Sequence, residues 1–247
     1  MSRPIAVFDL DGTFVRSSLL IELIRGLVMF EVFPKLAEQE IEEEYRAWRE
    51  RRGTYQDYLM KVVEVFYRRI VGCSVYDVER VGRIIANEQH RQVYVYTRRR
   101  IEELRTTHHL VAITGSPDVI AKPFTEGWDF ARVYPSTLVA ADGVYNGDRM
   151  PRAALTSNIA HLKRVLLDDA LSELGATLDD SIGFGDTESD VSILERVHQP
   201  IAFNPNVALA RVAVERGWKM VYERKDAIVH LTGGRYVIEG ISDSDQS

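Results

Sequence analysis

The chain has 247 residues, enough to bury a full core and near the upper edge of one domain. Its 45% hydrophobic and 28% charged residues are the composition of a globular protein and exclude a fibre or a disordered chain. A net charge of -6 argues against broad nucleic-acid binding, which rests on basic surface, so a small partner is expected.

The first nine residues reach an acidic motif without the basic-then-apolar run of a secretory signal, and a cytoplasmic location is expected. Residues 5–8 form an apolar run ahead of two acids, the pattern of a buried parallel strand with polar chemistry at its carboxyl end. From Val15 to about Gln89 the chain turns charged and aromatic-rich at helical period, which predicts a separate module of roughly four helices. Its most apolar part, residues 19–33, is broken by Glu22, Arg25 and Glu31 and falls short of the ~20 clean residues of a membrane span. It reads as a buried helix capped by Ser17 or Ser18. Pro34 and Gly53 punctuate the next helices, and Thr54 with Asp57 and Ser74 with Asp77 form acidic variants of the capping box. Tyr45, Trp48, Tyr55, Tyr58, Phe66 and Tyr67 recur at helical spacing and read as the packing of this module, not as a ligand surface. Cys73 is the single cysteine, so any metal must be held by oxygen or imidazole.

Further apolar runs at 110–113, 181–184, 200–203 and 218–222 alternate with helical periods at 159–174 and 207–216. Alternation of this kind predicts an α/β fold, a parallel sheet with helices on both faces. Residues 138–148 read as a hairpin turning at Asp142-Gly143. His108 and His109 lack a second ligand at metal spacing. The helical module leaves and re-enters the sheet after the first strand, which makes it an inserted helical-bundle cap spanning 16–89 over a core of 1–15 and 90–240. Residues 241–247 are polar and acidic and are expected to be a disordered tail.

Three strand ends carry chemistry. Asp9 and Asp11 follow the first strand; an extended chain would point them to opposite faces, but Gly12 permits the turn that brings them together. Such hard oxygens suit Mg²⁺. Thr114-Gly115-Ser116-Pro117 offers hydroxyls and backbone amides to a phosphate, or else Ser116 simply caps the next helix. Asp186 and Asp190, four residues apart, follow the strand at 181–184; Asp186 could complete a magnesium site and Asp190 orient a lysine from behind.

In this order the three segments resemble the haloacid dehalogenase superfamily of phosphohydrolases, with Asp9 and Asp11 as the first motif, Thr114 the second, Lys163 the third, and Gly185-Asp186 with Asp190 the fourth. The insertion after the first motif, and Asn204-Pro205, further resemble the branch containing phosphoserine phosphatases. The resemblance implies a Rossmann-like core and a Mg²⁺-dependent phosphomonoester hydrolase acting on a small phosphorylated metabolite. It implies Asp9 as nucleophile forming an aspartyl-phosphate, and Asp11 as general acid and base. It also implies Asp9, the Asp11 backbone carbonyl and Asp186 on the metal, with Thr114, Gly115 and Lys163 on the phosphoryl oxygens. Two positions depart from the pattern: Thr114 stands where Ser is frequent, and Ser18 stands where phosphoserine phosphatases carry the glutamate that recognises the substrate amine. Phosphoserine is therefore not the expected substrate, although Glu22, one turn further on, could serve another cationic group. Two alternatives share these residues: a phosphotransferase or mutase that passes the same phosphoryl group to a second hydroxyl, and a non-catalytic phosphate-binding protein.

Overall fold

Ile5, Ala6, Val7 and Phe8 are all buried, so their backbone polar groups must pair with other strands and not with water. They do so on both sides, because β1 (Pro4–Phe8) lies parallel to β2 (His109–Pro117) and to β5 (Thr177–Gly185). The computed structural model describes residues 2–150 and 159–241. Beyond β2 lie β3 (Arg132–Ala141) and β4 (Val144–Met150); beyond β5 lie β6 (Gln199–Phe203), β7 (Lys219–Arg224), β8 (Ala227–Thr232) and β9 (Arg235–Gly240). The order is β4-β3-β2-β1-β5-β6-β7-β8-β9, parallel from β3 to β7 and antiparallel at both margins.

The two-residue period of β1 sorts its side chains onto two cores. Ile5 and Val7 join Val111, Ile113, Leu167 and Ala170, so this face is covered by α8 (Ile159–Leu174). Ala6 and Phe8 join the larger cluster that runs into the inserted helices, with Phe8 stacked on Phe184 at 4.4 Å. Both faces are therefore dry, as a parallel Rossmann-like sheet requires. The chain leaves β1 toward β2 on one side and returns to β5 on the other, so a crevice opens at the carboxyl ends of these strands.

Between β1 and β2 the chain forms α1 (Leu19–Met29), α2 (Leu36–Gln39), α3 (Glu42–Arg49), α4 (Tyr55–Arg69), α5 (Val75–Gln89) and α6 (Val95–Leu104). The expected four helices of 16–89 are five, because the segment after Pro34 divides into the short α2 and α3. Thr54 and Asp57 form a reciprocal capping box, and Ser74 accepts from the Asp77 amide. After β2 come α7 (Asp118–Thr125), α9 (Val191–Leu194) and α10 (Val207–Arg216). The turn between β3 and β4 falls at Asp142 and Gly143, both at positive φ (51° and 78°), the conformation that a two-residue hairpin demands. Of the expected tail, Ile241 donates its amide to the Asp226 carbonyl at 2.8 Å and packs against the large core; residues 242–247 lie outside the described residues. Among the described residues no helix is long and apolar enough to cross a membrane.

Candidate active site

The backbone fixes Asp9 first: its amide donates to the Phe184 carbonyl at 3.0 Å, extending the β1–β5 pairing by one residue. The chain then turns at once, with the amides of Thr13, Phe14 and Val15 converging on the Leu10 carbonyl and Gly12 at φ 75°. A Cβ at Gly12 would come within 2.2 Å of Asp186 Oδ2, so this turn and the seat of Asp186 need glycine there.

The turn carries Asp11 to the start of α1. Its Oδ1 accepts the Leu19 amide at 2.6 Å, while Oδ2 accepts the hydroxyls of Thr114 at 3.0 Å and Ser116 at 2.8 Å. This corrects the expectation for Ser18, which occupies the N-cap position and is buried but makes no side-chain cap bond. Asp11 caps the helix in its place. Ser116 was open to a capping role; Pro117 holds that position without a side-chain bond, and the Ser116 hydroxyl serves Asp11. Thr114 also accepts the Ser116 amide, and Gly115 between them is exposed.

A second group forms around Lys163 of α8, which is only 6% exposed. Its ammonium donates to Asp9 Oδ1 at 2.8 Å and to Asp190 Oδ1 at 2.5 Å. Asp190 in turn accepts the amides of Asp186 and Thr187 through Oδ2. Oxygens of Asp9, Asp186 and Asp190 lie within 4.8 Å of one another, a set that could hold a metal ion. Hard carboxylate oxygens at this spacing fit Mg²⁺, and Asp190, already committed to Lys163 and two amides, serves the other two from behind.

The electrostatics argue the same fit. Burial pushes the Asp9 carboxyl up to about 7, opposed by Lys163 and reinforced by Asp190 and Asp11. Burial, with Asp9 and Asp190 nearby, raises Asp186 well above the ordinary carboxylate range. Burial also raises Asp11, against the hydrogen bonds from Ser116, Leu19 and Thr114. Burial works against the charge on Lys163, yet Asp190 and Asp9 outweigh it and keep the ammonium protonated. One ammonium among four carboxylates leaves negative charge that a divalent cation would offset.

From Gly12 and Asp186 a cavity of about 490 Å³ opens toward the inserted helices. Tyr45, Trp48, Tyr55 and Tyr58 line it, and Tyr45, Trp48, Tyr58, Phe66 and Tyr67 pack in or against the core, so the expected packing holds for five of the six and three of those also line the cavity. Ser18 also lines the cavity. Glu22 does not: its Oε1 accepts the Ser17 hydroxyl at 2.6 Å and Arg25 at 2.9 Å. One further residue escaped sequence reasoning. Glu223, buried on β7, accepts Arg16 at 2.8 Å and the amides of Val95 and Tyr96, holding Arg16 against the cavity and satisfying the first turn of α6. Desolvation raises the Tyr55 phenol pKa, and the charges of Asp11 and Asp186 add to it. A larger cavity, about 770 Å³, lies around the starts of β6 and β7 and contains none of these acids.

A model of the haloacid dehalogenase-like hydrolase family matches residues 6–195, which spans the carboxyl ends of β1, β2 and β5 with the site acids and Lys163. A protein of Mycobacterium tuberculosis described as phosphoserine phosphatase is 24% identical over 87% of this chain and 69% of its own length. The inhibition of morphological differentiation protein of Streptomyces azureus is 29% identical over 60% of this chain and 54% of its own. Among solved structures, a protein of unknown function from Bordetella pertussis Tohama I superposes with a TM-score of 0.69 at 20% identity, over 89% of this chain and 98% of its own. A phospho-aspartyl intermediate analogue of phosphoserine phosphatase superposes with a TM-score of 0.58 at 18% identity, over 92% and 96%.

Proposed function

The chain belongs to the haloacid dehalogenase-like hydrolase family, and from that premise we propose that it is a Mg²⁺-dependent phosphatase that hydrolyses small phosphomonoesters through an aspartyl-phosphate on Asp9. The observation that carries this reading is the separation of Asp11's hydrogen-bond partners from those of the other three acids. Asp9 lies with Lys163, Asp186 and Asp190, and Asp11 stands apart on Thr114, Ser116 and the α1 amide. Two carboxylates two residues apart thus have different surroundings, the condition for giving them different jobs.

Asp9 attacks phosphorus, and the bond to the leaving oxygen breaks as that oxygen takes a proton from Asp11, whose protonated form is favoured by burial. Asp11, now ionised, removes a proton from water, and the hydroxide attacks the aspartyl-phosphate to release phosphate and restore Asp9. Lys163 balances charge on the transferring oxygens, and the exposed Gly115 amide offers a further donor. Asp9, Asp186 and the Asp11 carbonyl would hold Mg²⁺, which would supply neutralisation of the phosphoryl charge. We assign residues 16–89 the role of a cap over this crevice.

Hydrolysis of 4-nitrophenyl phosphate in the presence of Mg²⁺, lost on chelation and regained on adding the ion, is the expected result; full turnover after chelation overturns the metal dependence. The ion should also report on Asp9 without turnover. A folded pKa raised from 3.8 to about 7 means that Asp9 contributes stability below about pH 4 that is lost as pH rises through 7. Mg²⁺ competes for the ionised form, so it is expected to raise Tm more at about pH 8 than at about pH 5. An equal or opposite trend removes Asp9 from the ion. Because Ser18 lines the cavity in place of an acid, phosphoserine is expected to have a lower kcat/KM than at least one other small phosphomonoester in a panel; phosphoserine as the best substrate contradicts that use of Ser18.

A further inference from the structure

The cavity in front of Asp186 is lined by three arginines, Arg16, Arg25 and Arg49, and by one acid, Asp186 itself, among the described residues. Two of the arginines are already neutralised. Arg16 is bound to the buried Glu223 and Arg25 to Glu22. Arg49, the last residue of α3, is exposed at the cavity wall and has no carboxylate partner among the described residues. Beside it Trp48 stacks on Tyr58 with ring centroids 5.7 Å apart and planes 4° from parallel, and Tyr55 lies 5.2 Å from Trp48. A guanidinium at the wall of such a cavity attracts an anion and repels any ammonium placed in the same space.

Resting on the phosphatase reading above, we propose that this cavity receives the alcohol part of the substrate and selects a planar, apolar body bearing a second anionic group, which Arg49 binds while the ring lies against Trp48 and Tyr55. Arg49 is then a specificity residue for the leaving group, separate from Lys163, which serves the transferred phosphoryl group. A fork-shaped guanidinium takes a carboxylate or a phosphate in the same bidentate manner. The two sources of negative charge are separable by experiment.

The test compares kcat/KM for phenyl phosphate, 4-carboxyphenyl phosphate, benzene-1,4-bisphosphate and 4-(aminomethyl)phenyl phosphate, with 4-carboxybutyl phosphate as the acid without a ring. In the parent, the ring acids are expected to exceed the ammonium ester by at least roughly tenfold, through KM, the size of one charge-assisted contact. Whichever ring acid leads identifies the second group as carboxylate or phosphate, and 4-carboxybutyl phosphate is expected to trail it. Arg49→Gln is expected to bring the acid-to-neutral ratio to about one, Arg49→Lys to keep a preference for acids, and Arg49→Glu to reverse it toward the ammonium ester. Ratios within one enzyme cancel any general change in folding or reactivity. Turnover of phenyl phosphate with no preference among the charged esters, or ratios that Arg49→Glu leaves in place, overturns the assignment of Arg49 and leaves hydrolysis standing. An aliphatic acid that equals the ring acids overturns the ring requirement. No turnover of any ester overturns both this inference and the reading on which it rests.

Discussion

Asp9→Asn is expected to reduce turnover by at least ~10⁴-fold while the protein still folds. The amide keeps the shape of the carboxylate but cannot attack phosphorus. Its effect on the fold is small for a reason particular to this site. Asp9 sits with Asp186 and Asp190 and has a carboxyl pushed up to about 7 by burial, so a neutral group there relieves repulsion while its amide oxygen can still accept, more weakly, from Lys163. Lys163 also keeps its bond to Asp190. Steady-state turnover with Mg²⁺, the melting temperature by circular dichroism, and trapping of the phosphorylated chain check this together. A variant within tenfold of the parent would place the nucleophile elsewhere.

For Lys163→Ala the expected result is a kcat lower by roughly 10²–10³, the loss that follows removal of one preorganised donor to transition-state charge. A solvated lysine on α8 would leave turnover alone and cost under ~0.5 kcal/mol of stability. From the sequence alone this variant is expected to fold as the parent does. The structure adds a cost: Lys163 is 6% exposed and joins two buried carboxylates, so its removal destabilises the fold by on the order of 3 kcal/mol, limited by the ability of Asp9 to take up a proton. Near-parental kcat would remove Lys163 from the site, and a loss of Tm without a loss of kcat would make it a structural lysine.

The strands that build the crevice were legible because their neighbours bury both faces. Val7, Phe8, Val111, Ile113, Phe184 and Ile201 form short apolar runs that only a covered parallel sheet accommodates. Where a strand lies at the margin that signal fades. All six residues of β9 are exposed, and the first half of β3 is only partly covered, so neither shows alternation in its sequence. The acids of the site were legible from strand ends and from the family pattern. Their partners were not. Ser116 before Pro117 is as good a helix cap as it is a donor to Asp11, and only the path of α1 decides between them. Ser18 sits at a capping position yet leaves the task to Asp11, seven residues upstream, because the Gly12 turn brings that carboxylate onto the Leu19 amide. Glu223 closes a 207-residue gap to Arg16, a separation that no local pattern reports. Helical spacing assigned the aromatic residues of 45–67 to one packed surface, but the same face both packs and lines the cavity.

The helix that carries Trp48 and Arg49 is attached unlike its neighbours. α3 has no fully buried residue, whereas α1 buries eight of its eleven. Segments with little apolar burial open at a small fraction of the global unfolding free energy. One side of the cavity, held by the half-buried Tyr45 and Trp48, is therefore expected to open at lower free energy than the acids below, which β1, β5 and α8 hold. If that side admits substrate, substitutions on α3 that never touch phosphorus are expected to change the rate of turnover and leave the reacting geometry intact.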